Sequence, residues 1–262
     1  MPVFYFPRFL LGLKNVFACN PSPENRNSLS LVRRESRKGK AAEQRIALHK
    51  KGNIRFMPKR LTKGRLIALE GIDGAGKTTQ CARLEEWLRA QGWLVERLRE
   101  PTDGPYGRRI RELARQGRDE ITPEEELGLF LKDREENVRR SILPALERGA
   151  VVLLDRYYYS TIAYQGALGL DPAWIRRENE KFAPPADLLI YLRIPAELAR
   201  PRIESQRGGE RDLFEREDYL KRVQGLFDAM TDPQLVRIDA SQDPERVFER
   251  ILAAVRPLLI PA

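Results

Sequence analysis

A glycine-rich run between an apolar segment and a helical segment constrains this chain more than any other feature of its sequence. The run fits the pattern G-x-x-x-x-G-K-[ST] and consists of Gly71, Ile72, Asp73, Gly74, Ala75, Gly76, Lys77 and Thr78. Its glycines permit backbone conformations that direct successive N–H groups at phosphate oxygens, and the helix that follows directs its positive dipole end at the same charge. The sequence therefore predicts a phosphate-binding loop at the end of a strand.

The residues of this loop predict ATP and Mg²⁺ as its ligands. We expect the triphosphate to contact nine residues, namely Gly71, Ile72, Asp73, Gly74, Ala75, Gly76, Lys77, Thr78 and Thr79. Lys77 is expected to bridge the β- and γ-phosphates, and the hydroxyl of Thr78 to bind Mg²⁺. The alternative interpretation is an ordinary glycine-rich turn between a strand and a helix.

The net positive charge of the chain comes entirely from its N-terminal segment. The 262 residues carry a net charge of +9, and residues 1–56 alone hold 12 Lys and Arg against 3 Asp and Glu. Residues 57–262 hold 35 charged residues of each sign. We therefore predict a basic extension over residues 1–56 and a neutral globular domain over residues 57–262. Because the domain is neutral, we expect no stable nucleic-acid partner.

Three interpretations of residues 1–56 stay open. A targeting peptide, a disordered tail for anionic surfaces, and upstream sequence outside the working protein all fit the composition; we favour the last, with a start at Met57. The apolar run at residues 3–13 is interrupted by Pro7 and Arg8 and is too short to span a bilayer, so we expect no membrane partner. We expect a cytoplasmic protein, with organellar targeting as the alternative.

Histidine and cysteine usage excludes several kinds of chemistry. The single histidine, His49, lies in the extension, and the two cysteines, Cys19 and Cys81, are far apart. The domain therefore lacks the residues for a Ser-His nucleophile or a histidine-ligated metal, and no disulfide framework or zinc site is indicated. Chemistry in the domain must use carboxylates, lysine, arginine and hydroxyls.

Apolar segments alternate with helical patterns along the domain. We predict strands at residues 66–70, 93–97, 151–155, 188–192 and 235–238. Residues 151–154 are apolar on both faces, as in a central parallel strand covered by helices. The alternation predicts an α/β fold with a parallel sheet that binds its ligands at the carboxyl ends of the strands.

Polar residues after these strands supply further candidates. Asp155 ends the third strand, where nucleotide-binding α/β proteins hold Mg²⁺ directly or through water. Phe130 and Arg134 are four apart on a predicted helix and share a face that suits a base and its phosphate, although core packing with a solvated charge is the more common use of this spacing. The arginine-rich segment at residues 200–216 suits a mobile lid over phosphates, with an exposed charged loop as the alternative.

From about Leu66 to its C-terminus the chain resembles the thymidylate kinase family of nucleoside monophosphate kinases. The resemblance is carried by the phosphate loop, by Arg99-Glu100-Pro101, by Leu129-Phe130 with Asp133-Arg134, by Asp155-Arg156-Tyr157 with Ser160-Thr161-x-Ala163-Tyr164-Gln165-Gly166, and by Asp187-Leu188-Leu189-Ile190-Tyr191-Leu192. It implies transfer of a phosphoryl group from ATP to dTMP with Mg²⁺, on a five-stranded parallel sheet with a lid, in a homodimer.

The resemblance also implies the site residues. The acceptor would contact Glu100, Arg111, Phe130, Arg134, Arg156, Ser160, Thr161, Tyr164 and Gln165. Phe130 would stack on thymine, while Thr161 and Gln165 would contact its polar edge. Arg134 would lie beside base and phosphate, and Arg111 and Arg156 would bind the monophosphate.

Catalysis is expected to use Lys77, Asp73, Arg156, Arg207 and Arg211. Asp73 would approach the acceptor's sugar, supported by Glu100. Since the loop holds no arginine at Gly74-Ala75, the resemblance assigns the catalytic arginines to the lid, as in bacterial-type members.

Two departures from the family pattern leave the acceptor open to question. Thr102-Asp103 replaces the usual Gly-Gly, and Arg193 stands where an acid is common. The alternatives are a kinase of another nucleoside monophosphate, and an ATPase that associates with nucleic acid through its basic extension.

Overall fold

Five parallel strands form one sheet in the order β2-β3-β1-β4-β5. This computed structural model describes residues 57–117, 121–207 and 217–260. The strands are β1 (Arg65–Glu70), β2 (Val95–Arg99), β3 (Val151–Asp155), β4 (Leu188–Arg193) and β5 (Leu235–Asp239). The predicted α/β class and five-stranded parallel sheet are confirmed.

Burial follows the position of each strand in the sheet. Every residue of β3 is buried, and so is every residue of β1 after Arg65, because both strands are covered on both faces. The edge strands β2 and β5 carry exposed residues. Leu69 of β1 pairs with Asp155 of β3, so the strand ends that carry the candidate site residues are neighbours.

Helices connect the strands. They are α1 (Lys77–Ala90), α2 (Pro105–Gln116), α3 (Pro123–Asn137), α4 (Leu143–Glu147), α5 (Tyr158–Gly166), α6 (Pro172–Glu180), α7 (Ala196–Arg207), α8 (Glu217–Asp228) and α9 (Pro244–Val255). A π-helical turn, Val138–Ile142, joins α3 to α4, and a 3₁₀ turn, Arg256–Leu259, follows α9.

The first residues of several helices explain where these helices begin. Thr122 and Glu125 form a capping box at α3, in which each side chain bonds the backbone N–H of the other residue. The carboxylates of Asp171 and Asp243 accept a backbone N–H in the first turn of α6 and α9, and a proline follows each of these caps. Local sequence therefore fixes the start of these helices.

The predicted position of the second strand is wrong by two residues. Residues 93–97 were expected, whereas β2 begins at Val95. The N–H of Trp93 donates to the carbonyl of Leu88 at 3.1 Å, and Gly92 has a φ of 86°, so Trp93 belongs to the turn that ends α1. The shift places Glu100 directly after the strand.

The described chain is tied to the sheet soon after its first described residue. The N–H of Lys59 donates to the carbonyl of Gly92 at 2.7 Å, and that of Leu61 to the carbonyl of Gly149 at 2.9 Å. One compact unit spans Pro58–Ala262, while the predicted extension over residues 1–56 lies outside the described residues. In the described ranges, no helix has both the length and the apolar character needed to cross a membrane.

Candidate active site

The glycine-rich loop follows β1 and has the backbone of a phosphate-binding loop. Gly71, Gly74 and Gly76 have φ angles of 143°, 77° and 87°, a region that side chains disfavour. A Cβ on Gly71 would lie 2.5 Å from the carbonyl oxygen of Leu192, so this glycine also allows the loop to pass close to β4. Helix α1 begins at Lys77, which places its N-terminus at the loop.

Lys77 lies across this loop. Its Nζ donates to the carbonyl of Ile72 at 2.8 Å, and the side chain is buried. Burial and the nearby charge of Arg156 lower the pKa of Lys77 from its ordinary 10.5 to about 8. A bound polyphosphate would favour the charged form and reverse that shift.

Two oxygen groups meet where the first turn of α1 lies beside the end of β3. The hydroxyl of Thr78 donates to Oδ2 of Asp155 at 2.6 Å. A hydroxyl and a carboxylate are the hard oxygen donors that Mg²⁺ takes together with substrate phosphates and water. Over the described residues no group of three or more His, Cys, Asp or Glu could hold a metal by itself. The donor set therefore fits a magnesium ion that is bound jointly with a nucleotide.

A cavity of about 190 Å³ opens beside the loop. It is lined by Asp73 of the loop and by all nine residues predicted to contact the acceptor, namely Glu100, Arg111, Phe130, Arg134, Arg156, Ser160, Thr161, Tyr164 and Gln165. These residues come from the segment after β2, from α2 and α3, and from the segment after β3 with α5. The fold thus gathers the predicted set into one wall.

Arg156 connects the loop to the cavity. Its φ of 73° lies in the left-handed region, and its side chain forms an ion pair with Asp73. Nη1 donates to the Ser160 hydroxyl at 2.8 Å and to the carbonyl of Gly71 at 3.3 Å. The guanidinium lies 5.0 Å from the ring centre of Tyr164, whose hydroxyl accepts the N–H of Asp73 at 3.1 Å. One cation therefore contacts both the loop and the cavity wall.

The turn that carries Arg156 rests on a buried carboxylate. Glu70 ends β1, and its Oε1 accepts the N–H groups of Tyr157 at 2.7 Å and Ser160 at 3.2 Å. Burial raises the pKa of Glu70 from its ordinary 4.5 to about 7. Glu70 was not among the site residues predicted from the sequence, because no local pattern indicates its contact with α5.

Arg134 is buried in the cavity wall with every nitrogen engaged. Its Nε donates to Oε2 of Glu100 at 2.8 Å, its Nη2 lies 2.7 Å from the same oxygen in an ion pair, and its Nη1 donates to Oδ1 of Asn179 at 2.5 Å. Nη2 also donates to the Thr161 hydroxyl at 3.0 Å, and Asn137 donates to the other oxygen of Glu100 at 3.0 Å. Arg134 thus fixes the position of Thr161, beside the place predicted for a base.

The Gln165 amide presents an acceptor. The side chain is 1% exposed, and its Oε1 has no hydrogen-bond partner among the described residues, while Nε2 lies 3.4 Å from a carboxylate oxygen of Glu126. A buried acceptor without a partner is costly unless a ligand satisfies it. Gln165 is therefore suited to receive an N–H group from a molecule in the cavity.

Both departures from the family pattern have structural partners. The Thr102 hydroxyl donates to Oδ1 of Asp133 at 2.6 Å, and Asp103 accepts from Arg111 at 2.8 Å. These contacts hold the turn after β2 against α2 and α3. Arg193 forms a bidentate ion pair with Asp228 of α8, with a nearest distance of 2.9 Å. The basic residue is thus neutralised within the domain.

Two lining residues were missed, and one arginine of the segment predicted as a lid lies near the loop. Ile110 and Ala114 of α2 line the cavity, although their spacing indicated only a core-facing helix. Arg202 of α7 lies near the loop, with its Nη1 3.5 Å from the carbonyl oxygen of Gly74. Of the two predicted lid arginines, Arg207 ends α7 and its side chain lies outside the described structure, as does the whole of Arg211.

A phosphate-binding loop beside a cavity lined by aromatic and guanidinium groups is typical of a kinase that phosphorylates a small molecule. The family model described as thymidylate kinase matches residues 69–251. The chain belongs to the thymidylate kinase family.

Individual relatives agree with that assignment. A thymidylate kinase of Akkermansia muciniphila is 48% identical over 193 residues, which cover 74% of this chain and 92% of the relative. A thymidylate kinase of Desulfotalea psychrophila is 46% identical over 75% of this chain and 96% of the relative. A probable thymidylate kinase of Archaeoglobus fulgidus is 45% identical over 74% of this chain and 96% of the relative. The similarity thus covers nearly the whole of each relative.

Proposed function

We propose that this protein transfers the γ-phosphoryl group of ATP to dTMP, which produces ADP and dTDP. The observation that carries the proposal is the cavity beside the phosphate loop, which is lined by Phe130, Gln165 and Arg156, and whose Arg156 forms an ion pair with Asp73 of the loop. The membership of the chain in the thymidylate kinase family supports the same reaction.

The polar groups of the cavity match the edge of thymine. Gln165 offers an acceptor for the N3–H of the base, and the Thr161 hydroxyl, which accepts from Arg134, is left with its own proton to donate to a carbonyl oxygen. Phe130 supplies a ring on which a base can stack. Cytosine has an acceptor at N3, so its N3 and Oε1 of Gln165 would be two acceptors without a proton between them.

The phosphate of the acceptor is assigned to the cationic side of the cavity. Arg156 would bind it while the ion pair with Asp73 holds the guanidinium at the loop, and Arg111 would contribute a second cation from α2. Asp73 would approach the sugar. Positioning of this kind supplies much of the rate in phosphoryl transfer, because little covalent work falls to the protein.

The donor is assigned to the loop. Lys77 would bind the β- and γ-phosphates, and backbone N–H groups of residues 71–79 would cradle the polyphosphate. Thr78 and Asp155 would hold Mg²⁺, which when bound neutralises charge on the phosphates. Arg207 and Arg211 would steady the transferring group from the lid. Asp155→Asn should raise the Mg²⁺ concentration required for half-maximal rate.

ATP turnover with different acceptors tests the proposal. We expect dTMP to support ADP formation far better than AMP, CMP or GMP, and at least as well as dUMP, whose base has the same N3–H and 4-oxo group. Lys77→Ala should abolish the activity, whereas Lys63→Ala, at an exposed position, should not. A preference for another monophosphate would favour the alternative acceptor. ATP hydrolysis that needs no monophosphate, together with DNA binding that disappears on removal of residues 1–56, would favour the nucleic-acid-associated ATPase.

The assembly and location of the protein are part of the proposal. We propose a homodimer in the cytoplasm, with residues 57–262 as the working domain. Light scattering on the purified protein checks the homodimer. Sequencing the N-terminus of the native protein checks the working domain, since a start at Met57 would remove the basic extension. Residues 1–56 at the N-terminus of a protein isolated from an organelle would contradict both the location and the domain division.

A further inference from the structure

One buried amide in the cavity wall, that of Gln165, has its two ends in different surroundings. Gln165 lines the cavity; its Nε2 donates to Oε2 of Glu126 at 3.4 Å, and its buried Oε1 has no hydrogen-bond partner among the described residues. If the amide were turned by 180°, an N–H₂ group would face the base instead. The cavity would then donate at the point where it now accepts.

Glu126 is the group that distinguishes the two orientations. It lies in the first turn of α3, is 1% exposed, and does not line the cavity itself. An ionised carboxylate can only accept hydrogen bonds, so a turned Gln165 would bring two oxygens together in a buried place. The carboxylate therefore stabilises the orientation in which Nε2 is directed at Glu126, which leaves Oε1 as the end of the amide that can accept from a ligand.

We propose that Glu126 is a positioning residue for base selection, which fixes the Gln165 amide so that the site takes pyrimidines with a 4-oxo group and an N3–H and rejects 4-amino pyrimidines. The inference rests on the proposed function. Thymine and uracil donate from N3, and cytosine accepts there. An oriented acceptor at Gln165 receives the N3–H of thymine or uracil. Cytosine would instead place its own acceptor, N3, against Oε1 of Gln165.

The matched substitution is Glu126→Gln, which keeps the size of the side chain and adds a donor. Residue 126 could then either accept from or donate to Gln165, so both orientations of the Gln165 amide become available. We expect kcat/KM to fall for dTMP and dUMP and to rise for dCMP, and the ratio of dTMP to dCMP to drop about tenfold or more, as for the loss of one oriented hydrogen bond.

Glu124→Gln is the control for this experiment. Glu124 lies in the same helical turn and is exposed, so the same chemical change should leave the ratio unaltered. Thermal unfolding of both variants verifies that they are folded. If Glu126→Gln does not fold, Glu126→Met takes its place, since methionine also removes the acceptor at similar length, and the same drop in the ratio is expected.

The outcomes separate this inference from the function on which it rests. A wild-type protein that does not prefer dTMP contradicts the proposed function. A wild-type protein that prefers dTMP over dCMP, with a folded variant at position 126 that keeps the whole preference, overturns the role of Glu126 alone. Loss of dTMP activity without any change in the ratio also overturns it, because a merely structural residue would affect both substrates alike.

Discussion

Oε1 of Glu70 accepts the backbone N–H of Tyr157 at 2.7 Å, which ties the last residue of β1 to the turn after β3. The same oxygen accepts the N–H of Ser160 in the first turn of α5, and the Ser160 hydroxyl in turn accepts from Arg156. A fully buried carboxylate thus supports the one described non-glycine residue with a positive φ, Arg156.

Glu70→Gln should therefore weaken both the fold and acceptor binding. At pH 8, where the carboxylate is ionised, the amide would replace one acceptor oxygen with a donor that meets other donors. We expect the free energy of unfolding to fall by about 1–3 kcal/mol and the KM for dTMP to rise. Urea unfolding and steady-state kinetics measure the two effects. Glu96→Gln, on the half-exposed edge strand β2, is the control, and equal effects of both substitutions would contradict the role of Glu70.

The lowered pKa of Lys77 predicts that kcat/KM for ATP falls at alkaline pH. The free enzyme loses the Lys77 proton as pH rises through about 8, so kcat/KM for ATP should decline above that value. The decline in kcat should lie at higher pH, since bound phosphates favour the charged lysine. Lys77→Arg keeps its charge over this range and should flatten the decline. Superimposable profiles for the two proteins would refute this explanation.

Phe130→Ala should impair the acceptor and spare the donor. Stacking of a base on an aromatic ring is worth about 1–3 kcal/mol, so the KM for dTMP should rise about tenfold or more. The KM for ATP should stay near its wild-type value. Phe248→Ala removes a similarly half-buried ring from α9, outside the cavity, and serves as the control. An effect confined to ATP would show that Phe130 does not contact the acceptor.

Replacement of both Arg207 and Arg211 by Ala should act on the chemical step. A well-placed arginine contributes about 10³–10⁵ in turnover in phosphoryl transfer, so kcat should fall by at least about two orders of magnitude while the KM for dTMP changes little. Single-turnover kinetics with saturating substrates measure the effect. Arg177→Ala, at an exposed position on α6, is the control. A normal kcat in the double variant would remove the lid assignment.

Sequence reasoning located what depends on local motifs and missed what depends on contacts between distant elements. The loop was predictable from its own spacing, and the nine lining residues from the resemblance to the thymidylate kinase family, whose motifs carry them. Glu70 accepts from Tyr157 across 87 residues of sequence, and no local pattern indicates such a contact. The start of β2 was misplaced because the apolar character of Trp93 resembles a strand, whereas its N–H closes the end of α1.

The ion pair between Arg193 and Asp228 has an evolutionary consequence. An acid at position 193, which the family pattern led us to expect, would face Asp228 as a like charge. We expect the two positions to change together, so that lineages with an acid at the end of β4 lack Asp228. Such a compensated exchange alters neither the loop nor the cavity. It would mark a branch of the family by descent and not by substrate.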